Sequence, residues 1–320
     1  MAVPRGHAGW TPKKRNFGYG RRLPYAALSA LHDYFGHSSQ YQTQHTHHAR
    51  FKTFANWLFE QHGIRDARLI TQRHIQGYGD YLLSMVTNGF YTVSYAQNLL
   101  STLNVVMRCM RHDRRLYTPP SKIVGRRSYI RKTVPECEWV TVLSAVQQLE
   151  KVNNNSRAGA VLLLGRAFGM RVREAALANL IRLEEEATKF GTVTILDGTK
   201  GGRKCLDREI PVGDFQLLAL RYALEVSPEG SRNLLQTGET YKNFLDRVID
   251  PGRKALKNNR LIDYREMRAG FALDIYEVSS EQPAPIKQKP IDQEAHKRAE
   301  ALVSRLLGHG RPHISRSYIG

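Results

Sequence analysis

Between Arg108 and Lys132 the chain carries nine arginines or lysines against a single acid, Asp113, and Tyr117-Thr-Pro-Pro120 stands in the middle. No helix runs through such a pair. The second proline lacks the N–H that a helix needs, and each disfavours helical geometry in the residue before it. The stretch therefore cuts the chain in two. Before it, apolar residues recur only with helical spacing. After it, helical spacing is joined by alternation. A length of 320 residues is enough for two hydrophobic cores.

Four segments follow from this cut. Residues 1–23 hold Arg5, Lys13, Lys14, Arg15, Arg21 and Arg22, no acid and no apolar period, and read as a flexible basic arm. Residues 24–115 read as a helical bundle. Leu28, Leu31 and Phe35 mark one helix. Phe51, Phe54, Ala55, Leu58 and Phe59 mark a second at i, i+3, i+4, i+7 spacing. Ile75, Tyr78, Leu82 and Leu83 mark a third, and Leu99, Leu103, Val106 and Met107 a fourth. Residues 116–133 read as a basic linker, placed to lie along a nucleic-acid backbone through Arg126, Arg127, Arg131 and Lys132.

Residues 134–320 read as a second domain. Trp139, Val142, Leu143 and Val146 give an amphipathic helix, and the apolar run from Ala158 to Phe168 gives a central one. Period-two patterns predict strands at Thr192–Leu196 and Leu206–Val212 around a turn. Helices are expected at about 214–226, 239–257 and 263–278, and again through Ala295, Ala299, Leu302, Val303 and Leu306. The fold class expected is mainly α, with a small antiparallel β-sheet in the second domain.

Charge bounds the partner. Lys plus Arg minus Asp plus Glu is 48 − 29 = +19, which points to a polyanion, nucleic acid first. A membrane role lacks a span: the most apolar stretch, Ala158 to Leu164, is stopped by Arg166. The N-terminus has charge but no apolar stretch of a secretory leader. Cys109, Cys137 and Cys205 are odd in number and widely spaced, as reduced thiols of a cytosolic protein are. His45, His47 and His48 have no carboxylate or cysteine nearby to complete a metal site and read as polar histidines of a helix surface.

The chemistry gathers in four boxes. Gly169-Met-Arg-Val-Arg-Glu174 puts Arg171 just past a helix stop, with Glu174 three residues on. Thr199-Lys-Gly-Gly-Arg-Lys204 sits between the two strands and holds Lys200. Arg265-Glu-Met-Arg-Ala-Gly-Phe-Ala272 opens a helix with Arg265 and Arg268. Last, Leu306-Leu-Gly-His-Gly310 ends a helix, and Tyr318 follows His309 by nine residues. Each box taken alone is also what a salt bridge, a basic turn or a helix stop looks like.

In this order, behind a basic helical domain, the boxes resemble those of the tyrosine recombinases, the phage-type integrase family. The resemblance runs from about Pro24 to Gly320. It implies that Arg171 and Arg268 are the two catalytic arginines, Lys200 the hairpin lysine, His309 the histidine of the last box and Tyr318 the nucleophile, with Glu174 orienting Arg171. It implies a site-specific recombinase that cuts and rejoins DNA through a 3′-phosphotyrosine, without metal or other cofactor. The partners implied are double-stranded DNA and three further copies, a tetramer on two duplexes formed from monomers off DNA. An accessory DNA-bending or directionality factor, a mobile genetic element and a bacterial cytoplasmic, nucleoid-associated location complete the expectation. A type IB-like topoisomerase would use the same residues. A DNA-binding regulator derived from an integrase would have lost one or more of them.

Three departures stand out. Arg265 occupies a position where the family usually has histidine and sometimes lysine; it is counted among the catalytic residues as an assistant that binds a phosphate oxygen, although arginine hardly serves as a proton acceptor. Arg268 and His309 lie 41 residues apart, more than the family usually needs, and the excess falls in Glu277–His296. Only Ile319 and Gly320 follow Tyr318, too little for the tail that relatives dock on a neighbouring protomer. The polar, proline-bearing excess is thus expected to be either a passive loop or a substitute that contacts a protomer or positions the tyrosine.

Overall fold

The computed structural model describes residues 9–37, 40–152, 154–199, 206–258 and 263–320. The chain divides into two compact units, Met1–Ser128 and Tyr129–Gly320. Among the described residues no helix is long and apolar enough to cross a membrane.

The first unit is built on α1 (Leu23–Phe35), α2 (Tyr41–His62), α3 (Gln72–Thr87) and α4 (Val93–Arg111), with a short α5 (Pro120–Ile123) beside them. α1 buries Leu23, Ala26, Ala27, Ala30 and Leu31. Its alanines let α2 and α4 approach closely, and Leu28 and Phe35 stay at the margin. Phe51, Phe54 and Leu58 of α2 fill the centre, while Phe59 and Leu83 are 43% and 42% exposed, contrary to the stripe expected from spacing. A 3.6-residue turn carries a five-residue stripe past the edge of its contact face.

Two boundaries need correction. Residues 9–22 are not a flexible arm: Phe17 and Tyr19 are buried. Trp10 donates its indole N–H to the Met110 carbonyl at 2.9 Å. Asn16 donates its amide N–H to Asp66 at 2.9 Å and accepts from the Ala67 N–H at 2.7 Å. Three aromatic side chains among the arginines supply apolar area that a count of charges and glycines overlooks. Likewise residues 116–124 belong to the first core. Thr118 is buried and exchanges two hydrogen bonds with Asn104, at 3.0 and 2.6 Å. Pro120 is a first-turn residue of α5, where a missing N–H costs nothing, and Val124 is buried after it.

The second unit opens with α6 (Trp139–Gln147), which runs into one π-turn at Gln148–Val152. α7 (Ser156–Phe168) follows and is buried at every position from Ala158 to Phe168. It is the axle of the unit, packed by α6, α10 and α13. Arg166 survives inside it because its Nε–H reaches the Cys137 carbonyl at 2.8 Å and its head pairs with Asp274. Then come α8 (Val172–Leu177) and α9 (Leu180–Phe190). Spacing alone had passed over α9, although Asn179 caps it and Leu180, Leu183 and Ala187 line its buried face. The sheet is β1 (Thr192–Thr194) and β2 (Glu209–Pro211), antiparallel, with Val193 opposite Ile210. Both strands are shorter than the alternation suggested.

Six helices complete the unit among the described residues. α10 (Asp214–Glu225) packs on α7 and α9. α11 (Tyr241–Phe244) and α12 (Asp250–Asn258) are joined by a π-turn, Leu245–Ile249. α13 (Tyr264–Ser280) and α14 (Gln293–Leu306) pack together. A 3₁₀ turn at Pro312–Ser315 leads into α15 (Arg316–Ile319). The expected excess segment Glu277–His296 is therefore partly helix: α13 runs to Ser280 and α14 starts at Gln293.

Candidate active site

α7 has to stop where it does. Gly169 takes φ +59°, and a Cβ there would come within 2.4 Å of the Phe271 ring, so only glycine fits. The turn leaves the Gly169 carbonyl free to accept from two buried guanidiniums, Arg268 through Nη1 and Arg208 through Nη2 at 3.2 Å. Two residues on, Arg171 caps α8, and Glu174 folds back so that its carboxylate accepts from the Arg171 amide at 2.8 Å. A carboxylate at a helix start satisfies a free N–H and meets the positive end of the helix dipole.

Glu174 is fully buried among three arginines. Its carboxylate pairs with the Arg171 guanidinium, with Arg208 at 3.1 Å and with Arg268 at 3.7 Å. Burial pushes its pKa upward, but Arg208, Arg171, Arg268 and the Arg171 amide together outweigh that and hold it below the ordinary value. One negative charge against three positive leaves a net positive centre, suited to an anion.

Arg268 lies one turn into α13 and is 5% exposed. Nη1 reaches the Gly169 carbonyl, and Nη2 reaches the Leu307 carbonyl and His309 Nε2, the latter at 3.1 Å. Its Nε–H donates to the Tyr318 phenol oxygen at 3.1 Å. Burial lowers its pKa to about 10; the Tyr318 hydroxyl and Glu174 oppose the fall, and Arg171 and Arg208 favour it. It stays charged at neutral pH.

His309 follows the helix stop at Gly308, where φ is +64°, and its amide bonds the Ser304 carbonyl at 2.8 Å. Burial, then Arg268, Arg171 and Arg208, push its imidazole down to about 3, against Glu174. The ring is neutral at pH 7. Arginine only donates, so the Nε2 that meets Arg268 is the bare nitrogen and the proton sits on Nδ1. The Tyr318 ring lies 5.8 Å from the His309 ring, centre to centre.

The structure thus brings Arg171, Glu174, Arg268, His309 and Tyr318 together. Lys200 lies outside the described residues, as does Cys205. Arg265 does not join the cluster: it is exposed on the first turn of α13, and no described hydrogen bond or ion pair ties it to the others. Arg126, Arg127 and Lys132 are exposed. Arg131 is not free: its guanidinium pairs with Glu266 and donates to the Thr133 carbonyl at 2.6 Å. His47 bonds Thr102 at 3.0 Å. Cys109 and Cys137 are free and buried, and the described residues hold no group of three metal-ligating side chains.

Sequence reasoning missed Arg208. It is 1% exposed and adds a bond from Nε to the Leu306 carbonyl at 2.6 Å, so it ties Gly169, Glu174 and the turn before His309 together. A signal existed. Arg208 shares the inward parity of Ile210 and Val212, and an arginine on the buried face of a strand needs a buried acid.

Residues 131–269 match the model of the Integrase family. The match covers most of the second unit, which is thus similar to the Integrase family. The chain shares its fold with a dimer of lambda integrase bound to a COC′ core site, at 18% identity and TM-score 0.51 over 89% of this chain and 90% of that one. It also matches the Tn1549 transposon integrase in complex with circular intermediate DNA, at 11% identity and TM-score 0.55 over 92% and 94%. A lambda integrase tetramer bound to a Holliday junction matches at 15% identity and TM-score 0.50 over 92% and 77%. A search of curated protein sequences gave no match.

Proposed function

We propose that Tyr318 attacks a DNA backbone phosphate, with Arg171 and Arg268 holding that phosphate and His309 beside them. The observation that carries this reading is the Arg268 guanidinium, which touches both the Tyr318 oxygen and His309. Its remaining anchors are carbonyls of Gly169 and Leu307. They fix its plane, so a phosphate that shares the Nε edge with Tyr318 lies next to the phenol.

The step balances as follows. The Tyr318 oxygen forms a bond to phosphorus and the bond to the 5′-oxygen breaks. The products are a 3′-phosphotyrosine and a free 5′-hydroxyl. The phenol loses a proton and the leaving oxygen gains one. Lys200 is assigned the donor role. Neutral His309 accepts from Arg268 through Nε2 and so serves as a hydrogen-bonding group, not as a base. Negative charge grows on the non-bridging oxygens, and preorganised donors of this kind are worth about 10²–10³-fold each. Guanidiniums supply the positive charge that a metal would supply elsewhere.

Rejoining to a second duplex makes the enzyme a strand-exchange recombinase. We assign it a tetrameric state on two duplexes, work on a mobile genetic element, and a cytoplasmic location. The net charge of +19 and the family's chemistry support a DNA substrate. The test is a nicked suicide substrate: wild type should trap a covalent adduct, and Tyr318→Phe should bind equally and trap none. An adduct at wild-type level in that variant would sink the assignment.

A further inference from the structure

The excess between Arg268 and His309 has a definite place. α13 ends at Ser280, with Glu281 at φ +53°. Gln282 closes the loop on itself: its carbonyl oxygen accepts from the amides of Ile291 at 2.9 Å and Asp292 at 3.2 Å, and its amide donates to the Asp292 carbonyl at 3.0 Å. Glu277 of α13 pins the middle, accepting from the Ala284 amide at 3.1 Å and pairing with Lys287 at 2.8 Å. Ala284 is fully buried. A long loop held this way is structured, and such loops are usually functional.

What the loop grips is the residue after the nucleophile. The Ile286 amide donates to the Ile319 carbonyl at 2.9 Å. Ile319 is fully buried, and the next residue packs backbone on backbone, since a Cβ on Gly320 would lie 2.5 Å from the Ile286 nitrogen. On the other side of Tyr318, Arg316 pairs with Glu300 of α14 at 2.6 Å. The Arg316 carbonyl accepts from the Arg131 amide at 2.9 Å. α15 has four residues, too short to hold its own position. Its placement comes from these outside contacts.

We propose that the Glu281–Asp292 loop is a positioning element for the reaction, seating Tyr318 from within its own chain through the Ile286–Ile319 backbone bond. This rests on the reading of Tyr318 as nucleophile. The loop touches neither phosphate nor reacting atoms. It sets where the phenol lies, and an error of about 1 Å in such placement costs about 10²-fold in rate.

Ile286→Pro removes the gripping N–H. At saturating suicide DNA the rate of adduct formation should fall about 10²-fold, while DNA affinity and melting temperature hold. A substrate with a bridging 5′-phosphorothiolate, whose sulfur leaves without a proton, should not rescue the variant, because the defect lies in attack. Glu277→Gln, which loosens the loop without touching Ile319, should show the same pattern more weakly and serves if the proline variant does not fold. Mixing Tyr318→Phe with Arg171→Ala protein should give no adduct, since each chain presents its own tyrosine. Wild-type rates in folded loop variants, rescue by the phosphorothiolate, or an adduct from the mixture would each overturn the proposal. An adduct from Tyr318→Phe alone would instead remove the underlying assignment.

Discussion

Arg268 donates its Nε–H to the phenol oxygen of Tyr318 at 3.1 Å, so the cation and the attacking group meet before any substrate is bound. The bond occupies an edge that a phosphate must share. Arg268→Lys should therefore fail although charge is kept. One ammonium cannot span the Gly169 and Leu307 carbonyls, His309 and Tyr318 together. Adduct formation should drop at least about 10²-fold, with DNA binding reduced less; a lysine variant cleaving like wild type would contradict the bridging role.

The pH dependence of stability has a defined sign. Burial and the neighbouring arginines lower the folded His309 pKa from 6.5 to about 3. Between those values the unfolded chain binds a proton that the folded one refuses. The contribution is fully present above pH 6.5 and is lost as pH falls toward 3. Glu174, also lowered when folded, adds its loss only below the ordinary carboxylate range. Melting temperature followed from pH 7 to 5 should thus fall less steeply in His309→Gln than in wild type. Equal slopes would place the imidazole in water.

Arg208→Met should destabilise the second unit by about 3–5 kcal/mol, because Glu174 keeps its burial and loses one partner. Chemical denaturation measures this. Arg208→Met with Glu174→Gln should not recover the loss, since Arg171 and Arg268 then lose their counter-charge.

Salt dependence separates the basic residues around the connection. Arg126→Ala, Arg127→Ala and Lys132→Ala should each reduce the log–log salt slope of DNA binding by about 1. Arg131→Ala should leave the slope nearly unchanged, because its guanidinium is spent on Glu266. It should slow adduct formation instead, since its guanidinium, tied to Glu266 and the Thr133 carbonyl, fixes the backbone whose amide holds Arg316.

Cleavage should persist in EDTA, since Arg171, Arg268 and Arg208 already supply positive charge around the site. Loss in EDTA with recovery in Mg²⁺ would replace this mechanism by a metal-assisted one.

Much of the fold could be read from spacing, and the misses share a cause. Helices α2, α4, α7, α13 and α14 declare themselves because their apolar stripes repeat over several turns. α9 escaped because its stripe is three residues, Leu180, Leu183 and Ala187, inside an acidic stretch. The N-terminal segment escaped because Trp10, Phe17 and Tyr19 follow no period, so only tertiary packing reveals them. For the site, the boxes named Arg171, Glu174, Arg268, His309 and Tyr318, which meet, and Arg265, which does not join them. Arg208 was hidden because its partners, Glu174 and the carbonyls of Gly169 and Leu306, are distant in sequence. The same distance hid the engagement of Arg131 with Glu266, 135 residues on.

The Gly169 carbonyl, which accepts from both Arg208 and Arg268, sets a rule for anyone recombining this chain with another. It projects from the end of α7, so one residue added to or removed from that helix turns it by about 100°. Both arginines would then lose their shared acceptor while every residue of the four boxes was still present. Hybrids spliced within α7 should bind DNA and cut nothing, and a junction placed before Ser156 or after Leu177 keeps the register that makes the boxes an enzyme.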